Sequence, residues 1–302
     1  MKPIRWIKKN TNINFLGLKK ISIFFSFLLC ICSIFSIFIF SLNYGIDFKG
    51  GTLIEIKSTS KIEISDIRSR LYGIGFEDAQ IQTFGSDDTI LIRIENDNVI
   101  NGEADLNASK IIAKELGNLF LIQRTEIVGP KVSSELIQKG VIAIITAVSL
   151  MLFYIWIRFE WQFSLGAVLA LIHDVTITIG LFSLFGIEFN LSIIAALLTI
   201  IGYSMNDTVV VYDRIRENLR KYKQMDLFEL INNSINDTLS RTTLTSVTTL
   251  LALFSLYFLG GEVIRGFTLA MIIGVFIGTY SSIFVASQII FFLGIKRDWS
   301  KN

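Results

Sequence analysis

The sequence predicts a polytopic α-helical membrane protein with six transmembrane helices and one α+β ferredoxin-like domain between the first and second helices. Of its 302 residues, 52% are hydrophobic and only 18% are charged, whereas about 25% of the residues in a soluble domain are charged. Six apolar windows are each long enough to cross the ~30 Å hydrocarbon layer of a bilayer. The polar stretch 44–139 separates the first window from the other five.

The composition excludes several other classes of protein. The chain is too hydrophobic for disorder, and its two cysteines, Cys30 and Cys32, lie in an apolar run rather than in a disulfide framework. A formal net charge of +2 offers no broad basic surface for nucleic acid. The single histidine, His173, excludes a three-histidine metal site. We therefore expect no metal, no cofactor and no enzymatic activity.

The first apolar window predicts a transmembrane helix over residues 21–43, preceded by a basic N-terminal segment, 1–20. A cleaved signal peptide is the alternative, but its apolar core is shorter and a small-residue cleavage site follows it. Five further helices are predicted within residues 140–293. They cover residues 140–157, 161–185, 191–212, 242–259 and 267–293.

Lysine and arginine residues indicate the orientation, because they accumulate on the cytoplasmic side of membrane spans. If the six helices alternate in direction, four basic segments fall on one side: 1–20, Arg158, the loop 213–240 and the tail 294–302. We therefore expect both termini in the cytoplasm, with Arg265, beside Glu262, as the exception. Residues 44–139 then face outward. They carry 11 basic and 15 acidic side chains, a net charge of −4, against +6 for the remainder of the chain.

The outward stretch 44–139 is predicted to form a small α+β domain, because short alternating segments are interleaved with helical spacings. The order β-α-β-β-α-β is the ferredoxin-like arrangement. The paired Gly50 and Gly51 permit a tight turn out of the membrane. The elements are a strand at 52–56, a helix from Ile64 to about Gly73, strands at 80–84 and 89–94 around the turn 85–88, a helix at 106–116 capped by Asp105 or Asn107, and a strand at 119–128.

Three charged residues within the spans are candidate functional residues, because a charge at mid-bilayer costs about 2.5–3.5 kcal/mol on insertion scales. Asp174 lies near the middle of the third span, with Thr178 one helical turn later. Asp207 is near the inner end of the fourth span, and Arg241 opens the fifth. Since one loop joins these two spans, Asp207 and Arg241 should lie at similar depth, where they could form an ion pair.

Hydroxyl side chains continue from Arg241 along the fifth span. Arg241, Thr245 and Thr248 have helical spacing, with Thr242, Ser246 and Thr249 beside them. A carboxylate, a guanidinium and hydroxyls together suit a proton relay, since the carboxylate can take up a proton. A static bridge between helices suits the same residues, so chemistry alone leaves the two interpretations open. For Asp174 we favour a role in packing.

Small residues in the sixth span, Gly274 and Gly278, predict close helix contact, which we assign to a partner subunit. Ser204 and His173 raise the alternative of an intramembrane serine protease. No motif of a catalytic nucleophile surrounds Ser204, so we do not favour that interpretation.

The stretch GYSMNDTVVVYDRIREN, residues 202–218, resembles the SecF subunits of the SecD/SecF family, accessory components of the bacterial Sec protein-export machinery. The resemblance extends in order over almost the whole chain, and motifs of this length are specific. Lys49 departs from it, where a smaller polar residue is expected. Further matching segments are 45–48 with 50–52, 128–132, 173–175, 240–242 with 245–246, and 274–279.

The resemblance implies a member of the resistance-nodulation-division superfamily that pairs with a SecD-like subunit and associates with the SecYEG channel in the bacterial cytoplasmic (inner) membrane. Such subunits use the proton-motive force to help draw preproteins into the periplasm, while SecA hydrolyses the ATP. The resemblance also implies a proton-linked role for Asp207 and Arg241 and places residues 44–139 in the periplasm.

Two alternatives remain open. A drug or lipid exporter of the same superfamily should carry twelve spans and two large outward domains in one chain, which six spans argue against. A purely structural assembly factor without proton coupling also fits the sequence.

Overall fold

The computed structural model describes residues 11–58, 63–77, 79–94, 110–112, 114–116 and 120–295. Within these residues, six helical segments are long and apolar enough to cross a membrane, and a small sheet domain lies between the first and second. The predicted fold class is therefore confirmed. The terminal basic segments 1–10 and 296–302, and the predicted helix cap at Asp105 or Asn107, lie outside the described residues.

The first span, α1 (Lys19–Phe40), leads into a short connecting segment. This segment contains the strand β1 (Asn43–Tyr44), the helical turn α2 (Ile46–Lys49) and the paired glycines. Gly50 and Gly51 have φ angles of 79° and 122°. Residues with a Cβ rarely adopt such angles, so both positions favour glycine where α2 ends and β2 begins. That the chain turns out of the membrane here stays a prediction.

The inserted domain has the predicted β-α-β-β-α-β order. Its four strands form one antiparallel sheet in the order β3-β4-β2-β5, which is the ferredoxin-like arrangement. The hairpin turn is shorter than predicted, since β4 already begins at Ser86. The elements are β2 (Gly51–Ser58), α3 (Ile64–Gly73), β3 (Gln80–Phe84), β4 (Ser86–Ile94), α4 with described residues 110–112 and 114–116, and β5 (Phe120–Val128).

Both faces of the central strand β2 are covered. Ile54 and Ile56 point toward the two helices of the domain, where they pack against Ile67 and neighbouring apolar side chains. On the opposite face, Leu53 packs with Leu91 and with Ile46 of α2. The burial agrees with this arrangement, since every residue from Gly51 to Ile56 is buried although Thr52 and Glu55 are polar.

The remaining spans follow the domain without long interruptions. The helix α5 begins ten residues before the predicted start of the second span, directly after β5. The bounds are α5 (Pro130–Arg158), α6 (Trp161–Leu184), the short strand β6 (Glu188–Phe189), α7 (Leu191–Lys221), α8 (Leu227–Leu259), α9 (Glu262–Ser281), a π-helical turn (Ser282–Ala286) and α10 (Ser287–Leu293).

The segment 213–240, predicted as a loop, is almost entirely helical. The helix α7 continues to Lys221 and α8 begins at Leu227, so that only five residues connect them. Asp226 caps α8 by accepting a hydrogen bond from the backbone N–H of Phe228 at 2.9 Å. Hydropathy detects only the part of a helix that lies in lipid, and these polar turns extend beyond it.

The helices α7 and α9 form the centre of the bundle, where small residues permit close approach. A Cβ added at Gly278 would lie 2.9 Å from Cβ of Ser204, and one added at Gly274 would collide with the side chain of Ile200. Both glycines thus face α7 of the same chain. Our assignment of this surface to a partner subunit was wrong, because the contact it predicts is made within the chain.

The inserted domain is attached to the bundle at the connection between α6 and α7. There β6 pairs in parallel with β1, and Asp47 Oδ2 accepts a hydrogen bond from the N–H of Leu191 at 2.8 Å, at the start of α7. Arg93, only 5% exposed on β4, forms an ion pair of 2.6 Å with Glu188. The domain is therefore connected to β6 by a largely buried ion pair and to α7 by a cap.

The contact between α7 and α9 predicts different results for the same substitution at two glycines. Gly274→Ala should lower the unfolding free energy in detergent by about 1–3 kcal/mol, because both branches of Ile200 block the added methyl group. Gly202→Ala, on α7, meets no atom within 4 Å and should be neutral or stabilising by up to about 1 kcal/mol. Thermal unfolding of the two variants measures the difference, and equal losses would contradict the packing.

Candidate functional site

Asp207 is buried inside the bundle on α7. Its side chain belongs to a residue only 2% exposed, and its Oδ2 atom has no hydrogen-bond partner among the described residues. It lies three residues after Ser204 on α7. A buried carboxylate oxygen without a partner is costly, because it has lost its hydration and gained nothing in exchange.

Arg241 lies at the depth of Asp207, as predicted. Asp207 is fourteen residues before the end of α7 at Lys221, and Arg241 is fourteen residues after the start of α8 at Leu227. At 1.5 Å per residue, each lies about 21 Å from the connection. The two residues are close enough to interact electrostatically.

The direct ion pair that we considered for these residues is not formed. Arg241 is exposed on the surface of the chain, whereas Asp207 is buried, and no described group donates to Asp207 Oδ2. The rotation of α8 about its axis is the reason, because it points Arg241 away from the centre of the bundle. Equal depth is thus necessary for pairing but not sufficient.

The hydroxyl side chains of α8 divide between two faces of the helix. Thr245 and Thr248 lie on the side of Arg241, and each donates only to carbonyl oxygens of its own helix. Thr242 and Ser246 are buried, and Ser246 Oγ lies 2.7 Å from Oγ1 of Thr279 on α9. The buried hydroxyl of Thr242 has no partner among the described groups. The inward polar stripe therefore consists of Thr242 and Ser246 rather than of Thr245.

Asp174 is the centre of a hydrogen-bonded cluster that joins three helices. It is completely buried on α6, and its Oδ2 accepts from Ser204 Oγ of α7 at 2.5 Å and from Ser281 Oγ of α9 at 2.8 Å. Its Oδ1 lies 2.9 Å from Nδ1 of His173. A buried charge with several donors is satisfied in place, so this geometry favours the packing role predicted for Asp174.

The contacts of His173, Thr178 and Ser204 limit the roles that this cluster can have. The His173 ring stacks on Tyr280 with 6.1 Å between centroids, while its buried Nε2 atom has no partner among the described groups. Thr178 donates to the backbone carbonyl of Asp174 at 2.8 Å and does not contact the carboxylate. Ser204 and His173 contact the same carboxylate through different oxygen atoms, so they do not form the serine–histidine pair of a protease.

Sequence reasoning missed Ser204 and Ser281 as the partners of Asp174. They lie 30 and 107 residues from it along the chain, so no local spacing indicates the contact. The available signal was that all three polar residues fall in otherwise apolar stretches, where a polar side chain needs a partner.

No group of three or more histidine, cysteine, aspartate or glutamate residues that could hold a metal ion occurs in the part of the chain that the structure describes.

A six-helix membrane protein with an inserted ferredoxin-like domain and buried carboxylates in its core is the class that the fold and the site define. Two family models match the chain: "Protein export membrane protein SecD/SecF, C-terminal" over residues 108–296 and "SecD/SecF GG Motif" over residues 35–61. The second includes the turn at Gly50 and Gly51. The chain therefore belongs to the SecD/SecF family of protein-export membrane proteins.

Similar proteins include two named protein translocase subunit SecF. The one from Cereibacter sphaeroides is 44% identical over 97% of this chain and 93% of its own length. The one from Rickettsia rickettsii is 42% identical over 99% of this chain and 97% of its own length.

Solved structures give the same result. The crystal structure of SecDF, described as a translocon-associated membrane protein, from Thermus thermophilus has a TM-score of 0.86 and 39% identity. The match covers 97% of this chain but 40% of that longer chain. SecDF in a super-membrane-facing form has a TM-score of 0.70, with 38% identity over 96% of this chain and 40% of that one.

The cluster around Asp174 predicts different effects of serine replacement at adjacent buried positions. Ser281→Ala should lower the unfolding free energy by about 1–3 kcal/mol, because the buried carboxylate loses a donor from another helix. Ser282→Ala should change it by less than about 0.5 kcal/mol, since that hydroxyl donates only to Thr279 of its own helix. Thermal unfolding in detergent compares the two, and an equal effect would show that the cluster does not hold the helices together.

Proposed function

We propose that this chain is the SecF-like subunit of a Sec preprotein translocase, which uses the proton-motive force to promote protein export. The observation that carries the proposal is Asp207, a buried carboxylate in a span with an unpartnered oxygen, in a chain of the SecD/SecF family. Proton uptake relieves the cost of burying that charge, since the neutral acid is far easier to desolvate. Asp207 then alternates between the protonated and the ionised form.

Arg241 supplies the positive charge that balances the ionised form of Asp207. Its guanidinium stays charged throughout the cycle. The two groups interact electrostatically without a direct ion pair, and this separation supports a relay over a static bridge, because a static bridge would hold the two groups in contact. The buried hydroxyl of Thr242 lies on the inward face of α8, and Thr245 lies on the face of Arg241.

A SecD-like partner subunit covers the face of α8 that carries Arg241. The exposed Arg241 and Thr248, with the partly buried Thr245 beside them, would otherwise face lipid, which is unfavourable for the charge in particular. The related solved chain is named SecDF and is longer than this one, which spans 40% of it. This exposed polar face replaces the small residues of α9 as the argument for a heteromer.

The assembly acts in the bacterial cytoplasmic membrane, with both termini inside and residues 44–139 in the periplasm. The distribution of lysine and arginine supports this orientation. In it, the Sec channel SecYEG is the neighbouring complex, translocating preproteins are the cargo, and SecA contributes indirectly by hydrolysing ATP. The chain itself has no enzymatic role.

The second candidate is a subunit that stabilises the translocase without coupling to protons. The contacts of Asp174 favour it, because they tie three helices together as a static element would. A superfamily exporter is less favoured, since six candidate spans are found in the described residues rather than twelve.

Replacing Asp207 by Asn should abolish the part of export that depends on the proton gradient and leave assembly intact, because the amide keeps the size but cannot titrate. Arg241→Met should have a similar effect by removing the balancing charge, and Arg241→Lys should restore it partly, since ammonium lacks the planar fork. Export into inverted membrane vesicles, with and without an imposed gradient, measures this.

Glu229→Gln is the matched control for that experiment, because it makes the same carboxylate-to-amide change at an exposed position on α8. It should export at the level of the unmodified protein. If Asp207→Asn exports with undiminished dependence on the gradient, the relay is excluded and the stabilising role stands.

The orientation is tested by single cysteines in a background that lacks Cys30 and Cys32. A cysteine at Glu77, in the inserted domain, should react with an impermeant maleimide added outside intact cells, or outside spheroplasts where an outer membrane is present. A cysteine at Lys223, between α7 and α8, should react only after the membrane is permeabilised. Reversed accessibility would overturn the assignment of the two sides.

A further inference from the structure

A basic cavity lies at the end of the bundle that we assign to the cytoplasm, apart from the Asp207 and Asp174 sites. It is open, has a volume of about 520 Å³, and lies between the end of α5 and the last turns of α7. Its lining residues are Arg158, Asp213, Arg216, Glu217, Arg220 and Lys221. Four cations and two carboxylates line it, so the cavity has a positive surplus.

The two carboxylates do not neutralise the cavity. Glu217 forms an ion pair of 2.7 Å with Arg214, which is not among the lining residues. Asp213 pairs with Arg158 at 3.2 Å. The positive charge of Arg216 is repelled by Arg220 and Arg158 and attracted by Asp213 and Glu160. An anion placed between these side chains would relieve that repulsion.

The guanidinium groups are held in position before any anion binds. Arg216 Nη1 donates to the backbone carbonyl of Arg158 at 3.1 Å, which satisfies a carbonyl at the end of α5. The guanidiniums of Arg158 and Arg216 lie 5.2 and 5.9 Å from the centre of the Phe159 ring. Little conformational entropy is then lost when an anion binds, because the donors are already ordered.

The depth of the cavity follows from the connection between α5 and α6. Only Phe159 and Glu160 separate two transmembrane helices there, so the cavity lies at the boundary between hydrocarbon and water. Trp156 and Trp161, on either side of the connection, are 59% and 56% exposed. Tryptophan favours this boundary, where the phosphate groups of lipids also lie.

We propose that this cavity binds the phosphate group of an anionic phospholipid, such as phosphatidylglycerol or cardiolipin. Arg216 and Arg220 present planar forks that match phosphate oxygens, and Lys221 adds a point charge. Basic pockets of this kind on the cytoplasmic side of transmembrane helices bind anionic head groups. Free phosphate has the same chemistry, but the position beside the exposed tryptophans favours the lipid. The site is independent of the proton relay.

Lipid retention tests the proposal. The intact protein is purified in mild detergent, exchanged into nanodiscs of phosphatidylcholine with 10% phosphatidylglycerol, re-extracted, and its bound lipid is measured by native mass spectrometry. The double variant Arg220→Gln/Lys221→Gln should retain phosphatidylglycerol about 25-fold more weakly than the unmodified protein, at roughly fivefold for each lost cation. The double variant Lys20→Gln/Lys223→Gln loses the same charge outside the cavity and should retain it fully.

Two further arms make the result decisive. The charge-conserving variant Arg220→Lys/Lys221→Arg should retain phosphatidylglycerol within about threefold of the unmodified protein, which separates lost charge from misfolding. Inorganic phosphate at 10 mM should not displace the lipid. The proposal is overturned if both glutamine double variants lose lipid equally, or if the charge-conserving variant loses as much lipid as the cavity variant. It is also overturned if inorganic phosphate at 10 mM displaces the bound phosphatidylglycerol.

Discussion

The close approach of α7 and α9 at Gly274 and Gly278 is the contact on which the rest of the membrane part depends. Without a Cβ at these positions, the two helices come near enough for Ser204 and Ser281 to reach the same oxygen atom of Asp174. The helix α6 is thereby fixed to both. Asp207, three residues after Ser204 on α7, is also buried. The burial of two carboxylates in this bundle therefore depends on the close packing of small residues, because polar groups in lipid must be enclosed by protein.

The two buried aspartates differ in what surrounds them, and the difference matches their proposed roles. Asp174 accepts hydrogen bonds from two hydroxyls and contacts a histidine, which stabilises one arrangement of three helices. Asp207 Oδ2 has no donor among the described residues. A buried carboxylate that accepts hydrogen bonds is stabilised in its ionised form, whereas one without a donor gains more from protonation. The environment rather than the residue type distinguishes a structural acid from a functional one.

Much of the fold could be predicted from the sequence, because it follows from local signals. The six spans follow from apolar length, and the ferredoxin-like domain follows from alternation and turn residues. The helical extensions of α5, α7 and α8 beyond lipid could not be predicted from hydropathy, since their polar turns resemble a loop. For the site, the depth of Asp207 and Arg241 was predictable because depth depends on residue count. Their failure to pair was not, since the rotation of α8 depends on packing. The partners of Asp174 were hidden by their distance along the chain.

The attachment of the inserted domain restricts how it can move relative to the membrane helices. A domain that is attached only by the two chain segments that enter and leave it can rotate about those segments. Here Arg93 forms an ion pair with Glu188 on β6, and Asp47 accepts a hydrogen bond from the first turn of α7. A tilt of the sheet therefore also displaces the first turn of α7, the helix that carries Asp207. A force applied to the inserted domain is in this way transmitted to the membrane helix that carries Asp207.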